Sequence, residues 1–104
     1  MIQLGNRSGA ALRYLWTFSA LTDHPRAGRA LDRDRNSLDT DLLAPDDWAW
    51  SSGERVLIDL ARAIAQGSGG CYVGELMFLD EHNRQVATEA LSIWLNGEHE
   101  AVSV

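Results

Sequence analysis

The chain of 104 residues contains no lysine, one cysteine and two prolines. A single cysteine excludes an internal disulfide framework and fits a reducing compartment, so we expect a cytoplasmic protein. No apolar run approaches the roughly 20 residues that a membrane-spanning helix needs, and we expect no membrane association. The length fits one domain, 1–104, and we expect a loose tail at 98–104.

The charges are divided unevenly along the chain. Residues 1–37 carry six Arg and three Asp, whereas residues 38–104 carry three Arg and twelve Asp or Glu, which gives a net charge of −6. Because a negative field repels phosphate, nucleic-acid binding is not expected. A protein partner with basic or mixed charge fits this balance better.

Two segments carry strong helix signals. The spacing of Ser51 and Glu54 is that of a capping box, and Gly67 is a typical C-terminal stop, so the sequence predicts a helix over 52–66. Asp80 is a good N-cap for a second helix over 81–96. Its expected apolar stripe consists of Val86, Ala87, Ala90, Leu91, Trp94 and Leu95. We expect these two helices to pack antiparallel as the scaffold of the domain.

Other segments complete the predicted architecture. Ala10–Leu21 is apolar on most sides and is predicted to be a buried central helix. After it, 25–35 is predicted to be helical, and 36–47 irregular but pinned to the core by its leucines. Segment 72–79 fits a short helix or a buried strand, and we favour the helix. The predicted fold class is therefore all-α, a small bundle of three to five helices, with α+β and a short strand at 72–79 as the alternative.

One stretch of about 30 residues resembles ABC-type ATPases. Ser51-Ser52-Gly53-Glu54-Arg55, with the following Ala61-Arg62-Ala63-Ile64-Ala65, resembles their signature motif and its helix. Leu76-Met77-Phe78-Leu79-Asp80-Glu81 resembles their Walker B strand and catalytic glutamate. The resemblance implies contacts of the serine and glycine with a γ-phosphate, and of the carboxylates with Mg²⁺ and water.

The remaining parts of such an ATPase site are missing from the sequence. A Walker A loop needs a lysine to hold the phosphates, and this chain has none. Helix capping explains the same serine, glutamate and aspartate residues. We therefore expect neither ATPase activity nor a bound cofactor.

Other catalytic patterns are also weak. The three histidines are far apart and lack the spacing of a zinc site. A site assembled from distant residues would first involve Cys71 with a histidine, or Asp80 and Glu81 with His82. A small enzyme or ligand-binding protein is thus the alternative hypothesis, and the preferred expectation is that the protein is not an enzyme.

The features that point to a partner are aromatic and charged. Trp48 and Trp50 follow the turn at Asp46 and Asp47 and precede a helix, so a ring either packs as a hydrophobic staple or contacts a partner. On a helix over 25–35, three arginines would share one face, either salt-bridged at the surface or binding a partner. The partner-binding candidates are Trp48, Trp50, Asp46, Asp47, Arg26, Arg29 and Arg33.

These observations favour one function. We expect a small, acidic protein–protein interaction module of the adaptor or inhibitor type, and its size and charge suit a bacterial, phage or mobile-element protein. A homodimer that buries surplus apolar surface of the first helix is a further hypothesis.

Overall fold

The computed structural model describes residues 2–43, 50–67 and 73–96. These residues form three α-helices: α1, Asn6–Phe18; α2, Ser52–Gln66; and α3, Glu81–Asn96. Four short 3-10 helices cover Ala20–Asp23, Ala27–Arg29, Thr40–Leu43 and Val73–Phe78. Three two-residue strands form a small antiparallel sheet: β1, Ile2–Gln3; β2, Leu31–Asp32; and β3, Ser37–Leu38, with β3 in the centre. The predicted small, mostly helical fold is confirmed.

Helix α1 lies at the centre because most of its faces are apolar. Its row of Leu12, Leu15 and Trp16 is almost fully buried in a core to which α2 and α3 also contribute. The ring nitrogen of Trp16 donates a 2.7 Å hydrogen bond to the carbonyl of Ala27, so the buried indole is satisfied. The expectation of a buried central helix is confirmed, although α1 begins and ends earlier than 10–21.

The antiparallel pair of the structure is α1 with α3. Arg7 in the first turn of α1 donates a hydrogen bond to the carbonyl of Leu95 at the end of α3, with an N–O distance of 3.4 Å. At the opposite end, Nε2 of His82 lies 2.7 Å from the carbonyl oxygen of Phe18. The two helices therefore run in opposite directions along their shared length.

The position of α2 differs from the expectation that it would pair antiparallel with α3. Ser8 of α1 donates a hydrogen bond to the carbonyl of Ile64 near the end of α2, at 3.2 Å. Leu79, just before α3, packs beside Gly53 at the start of α2. Helices α2 and α3 therefore both run opposite to α1. An apolar stripe shows which face of a helix is buried, but it does not identify the helix that covers that face.

The ends of α2 and α3 form as predicted. Oγ of Ser51 accepts from the amide of Glu54 at 3.1 Å, and Oε1 of Glu54 accepts from the amide of Ser51 at 2.8 Å. Gly67 ends α2 with a left-handed φ of 68°. Oδ1 of Asp80 accepts from the amide of Asn83 at 2.7 Å, which caps α3.

The buried face of α3 is rotated from the predicted stripe at its C-terminal end. Val86, Ala87, Ala90 and Ile93 are buried, whereas Leu91 and Trp94 are only partly buried. The side chain of Leu95 is 63% exposed, so its assignment to the buried stripe was wrong. Ile93 takes that place because the i, i+3 spacing from Ala90 keeps it on the side facing α1.

The predicted helix over 25–35 does not form. Local hydrogen bonds favour a 3-10 turn, since Nδ1 of His24 accepts from the amides of Arg26 and Ala27, both at 3.2 Å. Farther on, Oδ1 of Asp32 accepts from the amide of Arg35 at 3.0 Å and stabilises the turn between β2 and β3. Asn36 closes this turn with a φ of 52°.

The remaining segments can be placed briefly. Within the predicted irregular segment 36–47, Leu38 and Leu43 are fully buried and Leu42 is partly buried, which confirms that its leucines pack on the core. The expectation of irregular structure was wrong for Ser37–Leu38, a strand, and for Thr40–Leu43, a 3-10 helix, and residues 44–47 lie outside the described residues. Val73–Phe78 is a 3-10 helix, so the short helix favoured for 72–79 is confirmed over the strand. The expected loose tail at 98–104 lies outside the described residues. None of the described helices is long and apolar enough to cross a bilayer.

Candidate protein-binding surface

The 3-10 helix Val73–Phe78 presents two large apolar side chains to solvent. Met77 is 69% exposed and Phe78 is 78% exposed. A 3-10 helix repeats every three residues, so Leu76 and the following Leu79 lie on the same side. Leu76 packs against the core and Leu79 is buried, which directs the two residues between them outward.

The helix is anchored at its C-terminal end. The amide of Leu79 donates a 3.2 Å hydrogen bond to the carbonyl of Leu76. The side chain of Leu79 lies 3.9 Å from the position that a Cβ on Gly53 would occupy, so it packs directly on the first turn of α2. Met77 and Phe78 are therefore held beside α2 while remaining accessible.

An open groove runs between this 3-10 helix and the first two turns of α2. Its volume is about 260 Å³. Its apolar lining includes Val56, which is itself part of the core, and the exposed Phe78. Among the described residues, the lining consists of Ser52, Arg55, Val56, Asp59, Glu75 and Phe78.

The rim of the groove is acidic on balance. Of the described residues, Asp59 and Glu75 line it together with one cation, Arg55. The salt bridge within the described part of the chain joins Arg35 and Asp32, so the carboxylates of Asp59 and Glu75 have no such partner there. They remain available to a charged group that enters the groove.

The structure describes one of the two predicted tryptophans. Trp50 is only 8% exposed, and its ring stacks on His24 with a centroid distance of 4.3 Å and a tilt of 32°. Of its two predicted roles, packing inside the domain is the one that this burial fits. Asp46, Asp47 and Trp48 lie outside the described residues.

The three arginine candidates do not share a helix face. Arg26 donates hydrogen bonds to the carbonyls of Leu42, at 2.9 Å, and Asp41, at 3.2 Å, so it connects the start of the 3-10 helix Ala27–Arg29 to the 3-10 helix Thr40–Leu43. Arg33 lies in the turn after β2 and donates to Oγ1 of Thr17 at 3.2 Å. Arg29 is exposed at the end of its 3-10 helix. The predicted arginine face was wrong because it required a helix that does not form.

The residues suggested for a catalytic site have local structural roles. The Asp80 carboxylate accepts from the backbone and side chain of Asn83 at 2.7 and 3.3 Å, and His82 contacts the end of α1. Glu81 is exposed in the first turn of α3, and Cys71 lies outside the described residues. Within the described ranges, no three His, Cys, Asp or Glu side chains come together as a metal site.

The geometry of the ATPase-like residues is that of helix capping. Ser51 and Glu54 bond to each other's backbone at the start of α2. The segment that resembles a Walker B strand is a 3-10 helix instead. Both similarities therefore lie at the N-terminal ends of helices, where serine, aspartate and glutamate are common for structural reasons.

The sequence interpretation missed the exposed pair at Met77 and Phe78. They belong to a continuous apolar run, Leu76–Leu79, and such a run is expected to be buried whether it forms a helix or a strand. The three-residue repeat of a 3-10 helix would have placed Met77 and Phe78 on a different side from Leu76 and Leu79. Four residues are too few to identify that repeat from the sequence.

Comparisons with known proteins give no relative for this chain. No protein-family model, curated protein or solved structure matches it.

Proposed function

We propose that this protein is a small protein–protein interaction module of the adaptor or inhibitor type. Its binding surface consists of Met77, Phe78 and the adjoining groove on α2. The observation that carries the proposal is the exposure of two adjacent large apolar side chains, at 69% and 78%. Methionine and aromatic residues are enriched at protein interfaces, where their burial supplies much of the binding free energy.

The charge of the chain supports the same proposal. With a net charge of −6, a partner of basic or mixed charge would associate faster and with fewer unfavourable contacts. A cytoplasmic location, favoured by the single cysteine, and an origin in bacteria or their phages belong to this proposal. A second copy of the chain is a competing occupant of the surface, and the experiments below distinguish it.

The test compares two variants with similar chemistry at different places. Met77→Ser/Phe78→Ser removes the exposed pair, whereas Phe18→Ser removes an aromatic residue that is 50% exposed at the end of α1. Each variant and the wild type are used to capture proteins from a lysate of the native cells. A captured protein is identified, purified and titrated against all three forms by calorimetry.

We expect the double variant to bind the purified partner at least tenfold more weakly and Phe18→Ser to bind like the wild type. The loss follows from the apolar area that the partner can no longer cover. Thermal melts should be nearly unchanged, because exposed side chains contribute little to folding. Undiminished binding by a folded Met77→Ser/Phe78→Ser variant would refute the proposal.

A further inference from the structure

We infer that the groove between α2 and the 73–78 helix takes a cationic, apolar segment of the partner, in which an apolar side chain is flanked by Lys or Arg. This inference rests on the proposed function and specifies the chemistry of the docking segment. The apolar side chain would lie on Val56 and Phe78, and the cations would pair with Asp59 and Glu75.

The open shape of the groove favours a side chain of a longer segment over an enclosed cofactor or substrate. Small-molecule sites usually enclose about 300–1,000 Å³ and cover most of the ligand. This groove measures about 260 Å³ and is open along one side, so it fits one or two side chains of a longer segment. The rest of that segment would run over Met77, which is the exposed neighbour of Phe78.

The charges that line the groove favour a docking segment with positive charge. Asp59 and Glu75 are both half-buried and lack salt-bridge partners within the described ranges. Arg55 is the single cation among the described lining residues, and it is exposed. The net charge of −6 of the chain favours the same sign of occupant. An acidic segment would bring like charges together, whereas a basic segment forms complementary pairs.

The experiment uses two synthetic peptides of equal length with the same leucine pattern, one with lysines and one with glutamates at the polar positions. Each carries a fluorophore, and binding to the full chain is measured by fluorescence anisotropy at several salt concentrations. We expect the Leu/Lys peptide to bind at least tenfold more tightly than the Leu/Glu peptide. Its affinity should fall as salt rises, because the ion pairs at an open groove are screened.

Three variants locate the peptide on the protein. Glu75→Lys should weaken the Leu/Lys complex about fivefold to tenfold, since it replaces an attraction by a repulsion. Asp34→Lys changes the net charge equally but lies exposed in the turn after β2, so it should have little effect. Phe78→Ser should also weaken the complex, because the groove lining loses an exposed apolar side chain. Equal losses in Glu75→Lys and Asp34→Lys would overturn the inference by showing a response to overall charge alone.

Other outcomes separate this inference from the proposed function. If a captured partner depends on Met77 and Phe78 while the Leu/Lys peptide fails to bind, the inference is overturned and the proposed function stands. If light scattering finds a dimer that Phe78→Ser dissociates, a second copy occupies the surface and the inference is also overturned. If neither peptide nor partner responds to changes at Met77 and Phe78, both proposals fail.

Discussion

The side chain of Asn36 connects the sheet to α1. Its Nδ2 donates a 2.9 Å hydrogen bond to the carbonyl of Leu4, and its Oδ1 accepts from Nη1 of Arg13 at 3.1 Å. Its backbone carbonyl accepts from the amide of Leu4 at 2.8 Å. Asparagine suits this position because it tolerates the left-handed φ of 52° better than other side chains do. The amide is thereby fixed against Gly9 of α1.

Gly9 is the residue that this contact requires. A Cβ at position 9 would overlap Oδ1 of Asn36 and come within 2.9 Å of its Cγ. Gly→Ala inside a helix ordinarily stabilises by about 1 kcal/mol. We expect Gly9→Ala instead to lower the free energy of unfolding by about 2 kcal/mol, because the overlap strains a packed site. Urea denaturation followed by circular dichroism measures this change.

A double-mutant cycle supplies the control. Asn36→Gly removes the overlapping amide and accepts the positive φ, although it also loses the hydrogen bonds to Leu4 and Arg13. In that background, Gly9→Ala should be neutral or stabilising, which gives a coupling energy of about 2–3 kcal/mol. The same destabilisation in both backgrounds would mean that the contact with Asn36 is not what requires glycine.

At the scale of elements, the start of α2 allows a direct comparison between two adjacent serines. Ser51→Ala removes the oxygen that accepts from the amide of Glu54, and we expect a loss of about 1 kcal/mol. For a domain of this size, that loss lowers Tm by about 4–8 °C. Ser52→Ala changes an exposed residue of the first turn and should stay within about 0.5 kcal/mol. Calorimetry of the three proteins checks both values.

The melting temperatures of these serine variants also test whether the residues that resemble an ATPase signature motif serve as a helix cap. The capping interpretation requires a stability loss at position 51 that position 52 does not share. Equal melting temperatures for Ser51→Ala and the wild type would contradict this interpretation, and the hydrogen bonds of the capping box would then contribute little to the fold.

The elements that the sequence predicts well are those whose signals are local. The limits of α2 follow from Ser51, Glu54 and Gly67, which lie within or next to the helix. The strands were not predicted, because each has two residues and β1 pairs with β3 across more than 30 positions. Arginine spacing misled the interpretation of 25–35, since periodic charges indicate a helix only where the backbone hydrogen bonds also favour one. There His24 and Asp32 form competing turns.

The candidate surface could be predicted only in part, for a related reason. The sequence gives the acidic character of the second half of the chain and the apolar character of Leu76–Leu79. The sequence does not show which of these apolar residues face solvent, because their orientation depends on how Leu79 packs on α2. Trp50 shows the converse case, in which a residue expected near an interface is buried against His24, 26 positions earlier in the chain.

At the scale of the whole molecule, local stability among the described elements should be highest in α1 and lowest in the 73–78 helix. Helix α1 is packed against both other helices and strand β2, and Leu12 and Leu15 have no exposed surface. The 3-10 helix has a less favourable hydrogen-bond geometry and leaves two of its large side chains in water. Segments that bind partners are often among those that open most easily.

Native-state hydrogen exchange tests this distribution residue by residue. The amides of Leu15 and Trp16 should exchange only through global unfolding, so their opening free energy should equal that from denaturation and fall with urea at the full slope. The amides of Met77 and Phe78 should exchange through local opening, several kcal/mol easier and almost independent of urea. Leu57 in α2 is an internal reference for a buried helix. If Met77 and Phe78 were as protected as Leu15, the proposed binding surface would be a rigid part of the core. Binding there would then depend on a preformed shape and not on a segment that adjusts to a partner.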